Sequence, residues 1–255
     1  MTDTQLIDAF QRARKADDLA IIEGVQAAKH AVRFGAEVHK YITYDISLLQ
    51  KLLAEIAEDV KDTILENITV VDEQTFNKLS PQPPRTGFIA MAQRRNYLWH
   101  EVAPDRPVVF LEDPRDLENI GAVIRVAAAA DAAAVIISGS ADIWHPAVIR
   151  GAAGLHWAIP VFDNSSGDLQ QNEKSISEML RSTQTDRKLA ALDPTGEDLD
   201  AARIPTNSIL IFGTERHGIS KKLLAQSDEI VRLPMKKGVS SLNLATSVAA
   251  TLYQL

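Results

Sequence analysis

Six short apolar runs, PVVFLED, AAAVIIS, IPVFD, KLAALD, SILIFGT and EIVRLPM, follow one another through the second half of the chain, separated by helical stretches. A strand with one wet face alternates apolar and polar residues. These runs do not alternate, which is the pattern of strands covered on both sides in a largely parallel sheet. The second half is therefore predicted to be an α/β domain, a mostly parallel sheet with helices on both faces.

The first half alternates in a different way. TQLIDAFQRARKAD has helical spacing, and LAIIEG reads as a strand turning at Gly24. GVQAAKHAVRFG puts Val25, Ala28 and Val32 on one helical face, with Gly35 as a natural stop. EVHKYITYD is strand-like, SLLQKLLAEIAEDV is helical, and ITVVD and GFIAMAQ supply two more strands. This predicts a small α/β sandwich over residues 1–95. The stretch RRNYLWHEVAPDRP has mixed charge, two prolines and no sustained period, so residues 96–106 are read as a linker and 107–255 as the second domain.

A chain of 255 residues suits two modest domains, and 45% hydrophobic with 24% charged residues is enough to build real cores. The absence of cysteine excludes disulfides and thiolate metal sites, and fits a reducing compartment. MTDTQLIDAF has neither a basic start nor an apolar run of signal-peptide length, and no run approaches the ~20 apolar residues of a membrane span. A cytoplasmic protein with no membrane association is expected. The net charge of -7 runs against extensive phosphate contact. Local patches can still be basic, as around Arg12, Arg14 and Lys15 and at Arg94 and Arg95.

Three clusters hold residue types suited to chemistry. In LEDPRDLENIGAVIRVAAAA a strand ends in a polar turn and a helix begins near Asn119, a candidate N-cap; Gly121 allows close backbone approach, and Arg125 follows within two turns. An arginine at the carboxyl edge of a parallel sheet can bind an anion, though a surface arginine explains the pattern too. In SILIFGTERHGIS, Gly213 and Gly218 bracket Thr214, Glu215, Arg216 and His217, suggesting a loop whose backbone lies close to a ligand. His217 has no partner at metal-ligand spacing, and no metal is expected. In EIVRLPMKKGVSSLNLATSVAATLYQL, Ser240 or Ser241 could cap a final apolar helix, leaving Asn243 as a polar residue in the first turn with no structural need.

Taken together and in this order, the three clusters resemble the signature motifs of SpoU-type (TrmH-like) ribose 2′-O-methyltransferases of the SPOUT superfamily. Asn119, Gly121 and Arg125 match the first motif; Gly213, Glu215 and Gly218 match the second; Pro234, Met235, Ser241, Leu242 and Asn243 match the third. HPAVIRGAAGLHWAIPV is similar to the family's connecting helix and strand. In the first half, AIIEGVQAAKHAV and SPQPPRTGFIAM resemble the ribosomal-protein-like substrate-binding domain of many members. Leu117 stands where proline is common, Asp131 and Ala132 replace a common glycine turn, and LATSVAA departs from the usual small-residue run.

The resemblance implies an RNA (ribose-2′-O)-methyltransferase that uses S-adenosyl-L-methionine on rRNA or tRNA, with a trefoil knot and a homodimer that pairs partly through the last helix. It assigns cofactor binding to Gly213, Gly218, Leu233, Met235 and Leu242. Arg125 becomes the central catalytic residue, with Asn119, Glu215, Ser241 and Asn243 orienting it and the ribose. A guanidinium is seldom deprotonated in a protein, so Arg125 fits a clamp on phosphate and developing oxyanion at least as well as a base. The competing expectation is a non-catalytic RNA-binding or assembly protein that kept the fold. A dinucleotide-binding oxidoreductase is disfavoured, because no Gly-x-Gly-x-x-Gly follows an early strand.

Overall fold

The computed structural model describes residues 2–163, 187–199, 204–214, 217–239 and 241–255. It divides into two compact units, Met1–Arg95 with Trp144–Ala158, and Asn96–Ile143 with Ile159–Leu255.

The first unit runs α1 (Asp3–Ala13), β1 (Leu19–Glu23), α2 (Val25–Arg33), β2 (Val38–Thr43), α3 (Ile46–Ile56), α4 (Lys61–Glu66), β3 (Ile68–Val70), α5 (Glu73–Asn77) and β4 (Phe88–Gln93). Helix α1 starts in a capping box: the Thr2 hydroxyl accepts from the Gln5 amide at 3.3 Å, and Gln5 Oε1 accepts from the Thr2 amide at 2.9 Å. Its buried face is Leu6, Phe10 and Ala13. Helix α2 ends where expected, with Gly35 at φ 81° and the Ala36 amide donating to the Ala31 carbonyl at 2.8 Å. The sheet order is β1-β4-β2-β3, antiparallel except for the β2–β3 pair. The first five residues of central β4 are all buried, which is why FIAMAQ shows no polar alternation.

The second unit contains β5 (Val108–Leu111), α6 (Leu117–Ala129), β6 (Ala134–Ile137), β7 (Val161–Asp163), β8 (Leu189–Asp198), β9 (Ile209–Phe212), α8 (Lys221–Gln226), β10 (Glu229–Arg232) and α9 (Leu244–Leu252). Helix α7 (Pro146–Gly151) lies between β6 and β7 in the chain but belongs to the first unit. There it packs on β1, and the Arg150 guanidinium reaches the buried carboxylate of Glu23 at 3.2 Å. The six strands are ordered β10-β8-β9-β5-β6-β7, and every neighbouring pair is parallel. All residues of β5, β6 and β9 are buried, so the non-alternating runs have their cause in cover on both faces. Phe110, Ile136, Phe162 and Ile211 anchor this core, with Tyr97 and Trp99 of the predicted linker packed against it.

Two helix starts differ from expectation. The N-cap of α6 is Asp116, whose carboxylate accepts from the Glu118 and Asn119 amides at 2.8 and 2.9 Å; Asn119 sits inside the first turn. The N-cap of α9 is Asn243, not Ser241; Ser240 lies outside the described residues. Leu117 occupies the first helical position of α6, where a proline is readily accommodated. Asp131, at φ 57°, fills the left-handed position after α6 that glycine usually takes, and it pairs with Arg106.

Strand β8 is interrupted. Ala191 pairs with Ile230 and Glu197 with Val231, so residues 192–196 have no partner on β10 and bulge out of the ladder. Gly196 closes the bulge because a Cβ there would lie 2.4 Å from the Ile230 carbonyl oxygen.

Candidate functional site

The bulge opens a cavity of about 370 Å³ at the carboxyl ends of β8, β9 and β10. A parallel α/β sheet places ligands at this edge, because loops there diverge while the strands beneath stay rigid. Leu192, Asp193 and Pro194 from the bulge form one wall; Phe212, Gly213, Thr214 and Gly218 form a second; Arg232, Leu233 and Met235 a third. Ser241, Leu242, Asn243, Leu244 and Ser247 close it from the start of α9.

Each wall has a local reason for its shape. Gly213 and Gly218 fold onto each other: the Thr214 amide donates to the Gly218 carbonyl at 3.1 Å, and the Gly218 amide returns to Thr214 at 3.0 Å. A Cβ at Gly213 would lie 2.0 Å from the Gly218 carbonyl carbon, so only glycine fits. Gly218 has φ 64°. The Thr214 hydroxyl accepts from the His217 amide at 2.9 Å, tightening the turn. Leu242 remains 41% exposed although it lines the cavity, so an apolar face is open to whatever enters.

Asn243 does two jobs. Its Oδ1 accepts from the Ala245 and Thr246 amides at 3.0 and 3.3 Å, capping α9. Its Nδ2 donates to Asn119 Oδ1 at 2.9 Å, joining the first turn of α9 to the first turn of α6. Helices α6 and α9 pack on each other along their lengths. The polar residue that sequence reasoning left without a structural need therefore has one.

Seven of the ten expected site residues line this single cavity: Gly213, Gly218, Leu233, Met235, Ser241, Leu242 and Asn243. Asn119 reaches it through Asn243. Arg125 is not among the lining residues; it is exposed on α6, about 9 Å along the axis from Asn119 and about 120° around it. Glu215 lies outside the described residues. Sequence reasoning missed Leu192, Asp193 and Pro194. The signal was present as a Pro-Thr-Gly interruption directly after an apolar strand. No group of three or more potential metal ligands occurs among the described residues, and no described helix is long and apolar enough to cross a membrane.

Residues 106–253 match the SpoU rRNA Methylase family. The chain is 28% identical over 218 residues to the 23S rRNA (uridine(2479)-2′-O)-methyltransferase of Streptomyces viridochromogenes, covering 83% of this chain and 67% of that protein. It is 28% identical over 183 residues to the mitochondrial rRNA methyltransferase 3A of Danio rerio, covering 56% of this chain but 42% of that longer protein. Among solved structures, the SpoU methyltransferase AviRb from Streptomyces viridochromogenes in complex with AdoMet superposes with a TM-score of 0.76. That likeness, at 23% identity over 98% of this chain and 96% of the other, shows a shared fold.

Proposed function

Since the chain belongs to the SpoU rRNA Methylase family, we propose that it transfers a methyl group from S-adenosylmethionine to a ribose 2′-hydroxyl of rRNA or tRNA. One observation carries this reading: residues far apart in sequence, Gly213, Thr214 and Gly218, Leu233 and Met235, and Ser241, Leu242 and Asn243, meet around one cavity at the carboxyl edge of a parallel sheet.

The cavity suits the donor. Its volume lies in the range of small-molecule sites, and Phe212, Leu233, Met235 and Leu242 offer apolar surface for an adenine. When bound, S-adenosylmethionine supplies a methyl group on a cationic sulfur, open to attack by an oxygen nucleophile. Gly213 and Gly218 bring backbone close to it, and Ser241 and Asn243 face it from the start of α9.

The acceptor hydroxyl needs a fixed position and a stabilised negative charge as its proton leaves. Arg125 supplies the charge, gripping the neighbouring phosphate and the developing oxyanion. Asn119 and Asn243 brace the first turns of α6 and α9, and Glu215 completes the orienting set. The segment 1–95 selects the RNA; the segment 107–255 performs transfer as a knotted SPOUT domain that pairs in a homodimer. The chain works in the cytoplasm.

Methyl transfer from labelled S-adenosylmethionine to total RNA of cells lacking the gene tests the activity. Arg125→Ala should lower turnover at least ~100-fold while cofactor affinity stays near wild type. Near wild-type turnover would remove Arg125 from the mechanism. Donor binding without any methylation of RNA would favour a non-catalytic RNA-binding protein.

A further inference from the structure

Resting on that reading, we propose that Asp193 binds the ribose hydroxyls of the cofactor and makes the site selective for a ribonucleoside. Asp193 is the single carboxylate among the described residues lining the cavity. It belongs to no signature motif, and it is delivered there by the bulge in β8.

Its two oxygens are unequally used. Oδ1 accepts from the Thr195 amide at 2.9 Å and from the Thr195 hydroxyl at 2.6 Å, so the carboxylate is held in one orientation by its own turn. Both bonds fall on Oδ1. Oδ2 faces the glycine loop, where a Cβ on Gly218 would sit 4.0 Å from it. A half-exposed carboxylate held this way has acceptor capacity to spare and no donor capacity at all. Its natural complement is a group that presents hydroxyl donors.

The cofactor has three polar regions, and only one suits this place. The reacting sulfur is placed towards the start of α9, where Asn243 lines the cavity and joins Asn119 of α6. Asp193 stands on the wall made by the bulge, with its spare oxygen turned to the glycine turn at Gly218. The nucleoside end of the donor belongs there, among the bulge, the glycine backbone and Leu233. Dinucleotide-binding α/β sheets also grip a ribose hydroxyl with a carboxylate near a glycine loop, and Asp193 in its bulge offers the same chemistry. Hydroxyl-to-carboxylate hydrogen bonds are charge-assisted and short, so a single residue can matter to affinity.

Titration calorimetry on the full chain with three ligands tests this: S-adenosylmethionine, S-adenosylhomocysteine and the 2′-deoxy counterpart of the latter. Wild type should prefer S-adenosylhomocysteine to its deoxy form. Asp193→Ala should weaken the two ribose ligands by a similar factor of about 10 to 100 and abolish the preference over the deoxy ligand. Asp193→Asn keeps the Thr195 turn through its one oxygen but puts an NH2 donor where Oδ2 stood, so it should melt at the wild-type temperature and still lose the preference for the ribose ligand. Wild-type affinity in Asp193→Ala overturns the proposal. So does a loss confined to S-adenosylmethionine, which would assign the carboxylate to the sulfonium, or a loss equal for ribose and deoxyribose ligands. If wild type binds none of the three, the methyl-transfer reading itself fails, and this inference with it.

Discussion

Glu23 and Asp193 are both carboxylates on polar ground beside a β-strand, yet the molecule treats them in opposite ways. Glu23 is 4% exposed and saturated: Arg14 and Ser80 donate to Oε1, each at 2.7 Å, and Arg150 donates to Oε2 at 3.2 Å. All three donors belong to its own unit. Asp193 has one oxygen tied to Thr195 and the other turned to an open cavity. A buried charge must be matched inside the protein, because its desolvation is otherwise uncompensated. A carboxylate at a cavity wall can leave part of its capacity for a ligand. Saturation by protein donors marks an architectural group, and spare capacity marks a recognition group.

The sharpest way to break this contrast is to truncate the saturated acid. Glu23→Ala strands two guanidinium groups and a hydroxyl around an empty centre, and should destabilise the first unit by about 3–5 kcal/mol. Thermal and urea denaturation measure the loss. Calorimetry below the melting transition should still give wild-type affinity for S-adenosylmethionine. A large drop in donor affinity for the folded fraction would mean that Glu23 also serves the second unit's cavity, and the division between the two acids would fail.

Asn243 sits between these extremes, with its oxygen given to a helix cap and its amide nitrogen to Asn119. The two roles can be separated. Asn243→Ala removes both and should cost about 1–2 kcal/mol of stability. Asn243→Ser restores a good cap but is too short to reach across to α6, so its stability should lie within about 0.5 kcal/mol of wild type. Methyl transfer should fall in both variants. Full activity in Asn243→Ser would show that the α6–α9 bond is architecture alone.

What could be read from the sequence follows the range of the interactions involved. Strands β5, β6 and β9 were legible because four consecutive buried residues leave an unbroken apolar run. Gly35 was legible because a left-handed stop after a helix needs glycine locally. The cavity residues of the third cluster were found by resemblance, whereas the role of Asn243 was not, since its partner is 124 residues away. For the bulge of β8 the sequence holds only the Pro-Thr-Gly interruption; that the strand resumes after it is visible only in its register with β10. Likewise Trp144–Ala158 reads as an ordinary helix after β6, and only its contacts with β1 and α2 assign it to the first unit.

Asp131 gives the smallest expected effect and the cleanest control. It closes α6 in a Schellman arrangement, with the Ala132 amide donating to the Ala127 carbonyl at 2.9 Å, and needs φ 57° to do so. Replacing it with glycine removes left-handed strain and takes a negative charge from a helix C-terminus, both favourable. The same change loses an exposed ion pair with Arg106 and gives the unfolded chain more freedom, both unfavourable by similar amounts. Asp131→Gly should therefore shift stability by no more than about 0.5 kcal/mol, whereas Asp131→Val, β-branched and intolerant of positive φ, should cost about 1–2 kcal/mol. Neither should alter donor affinity, because Asp131 has no place in the cavity wall. If the valine variant proved as stable as wild type, the left-handed turn would not be what ends α6, and the departure from glycine at this position would need a different cause.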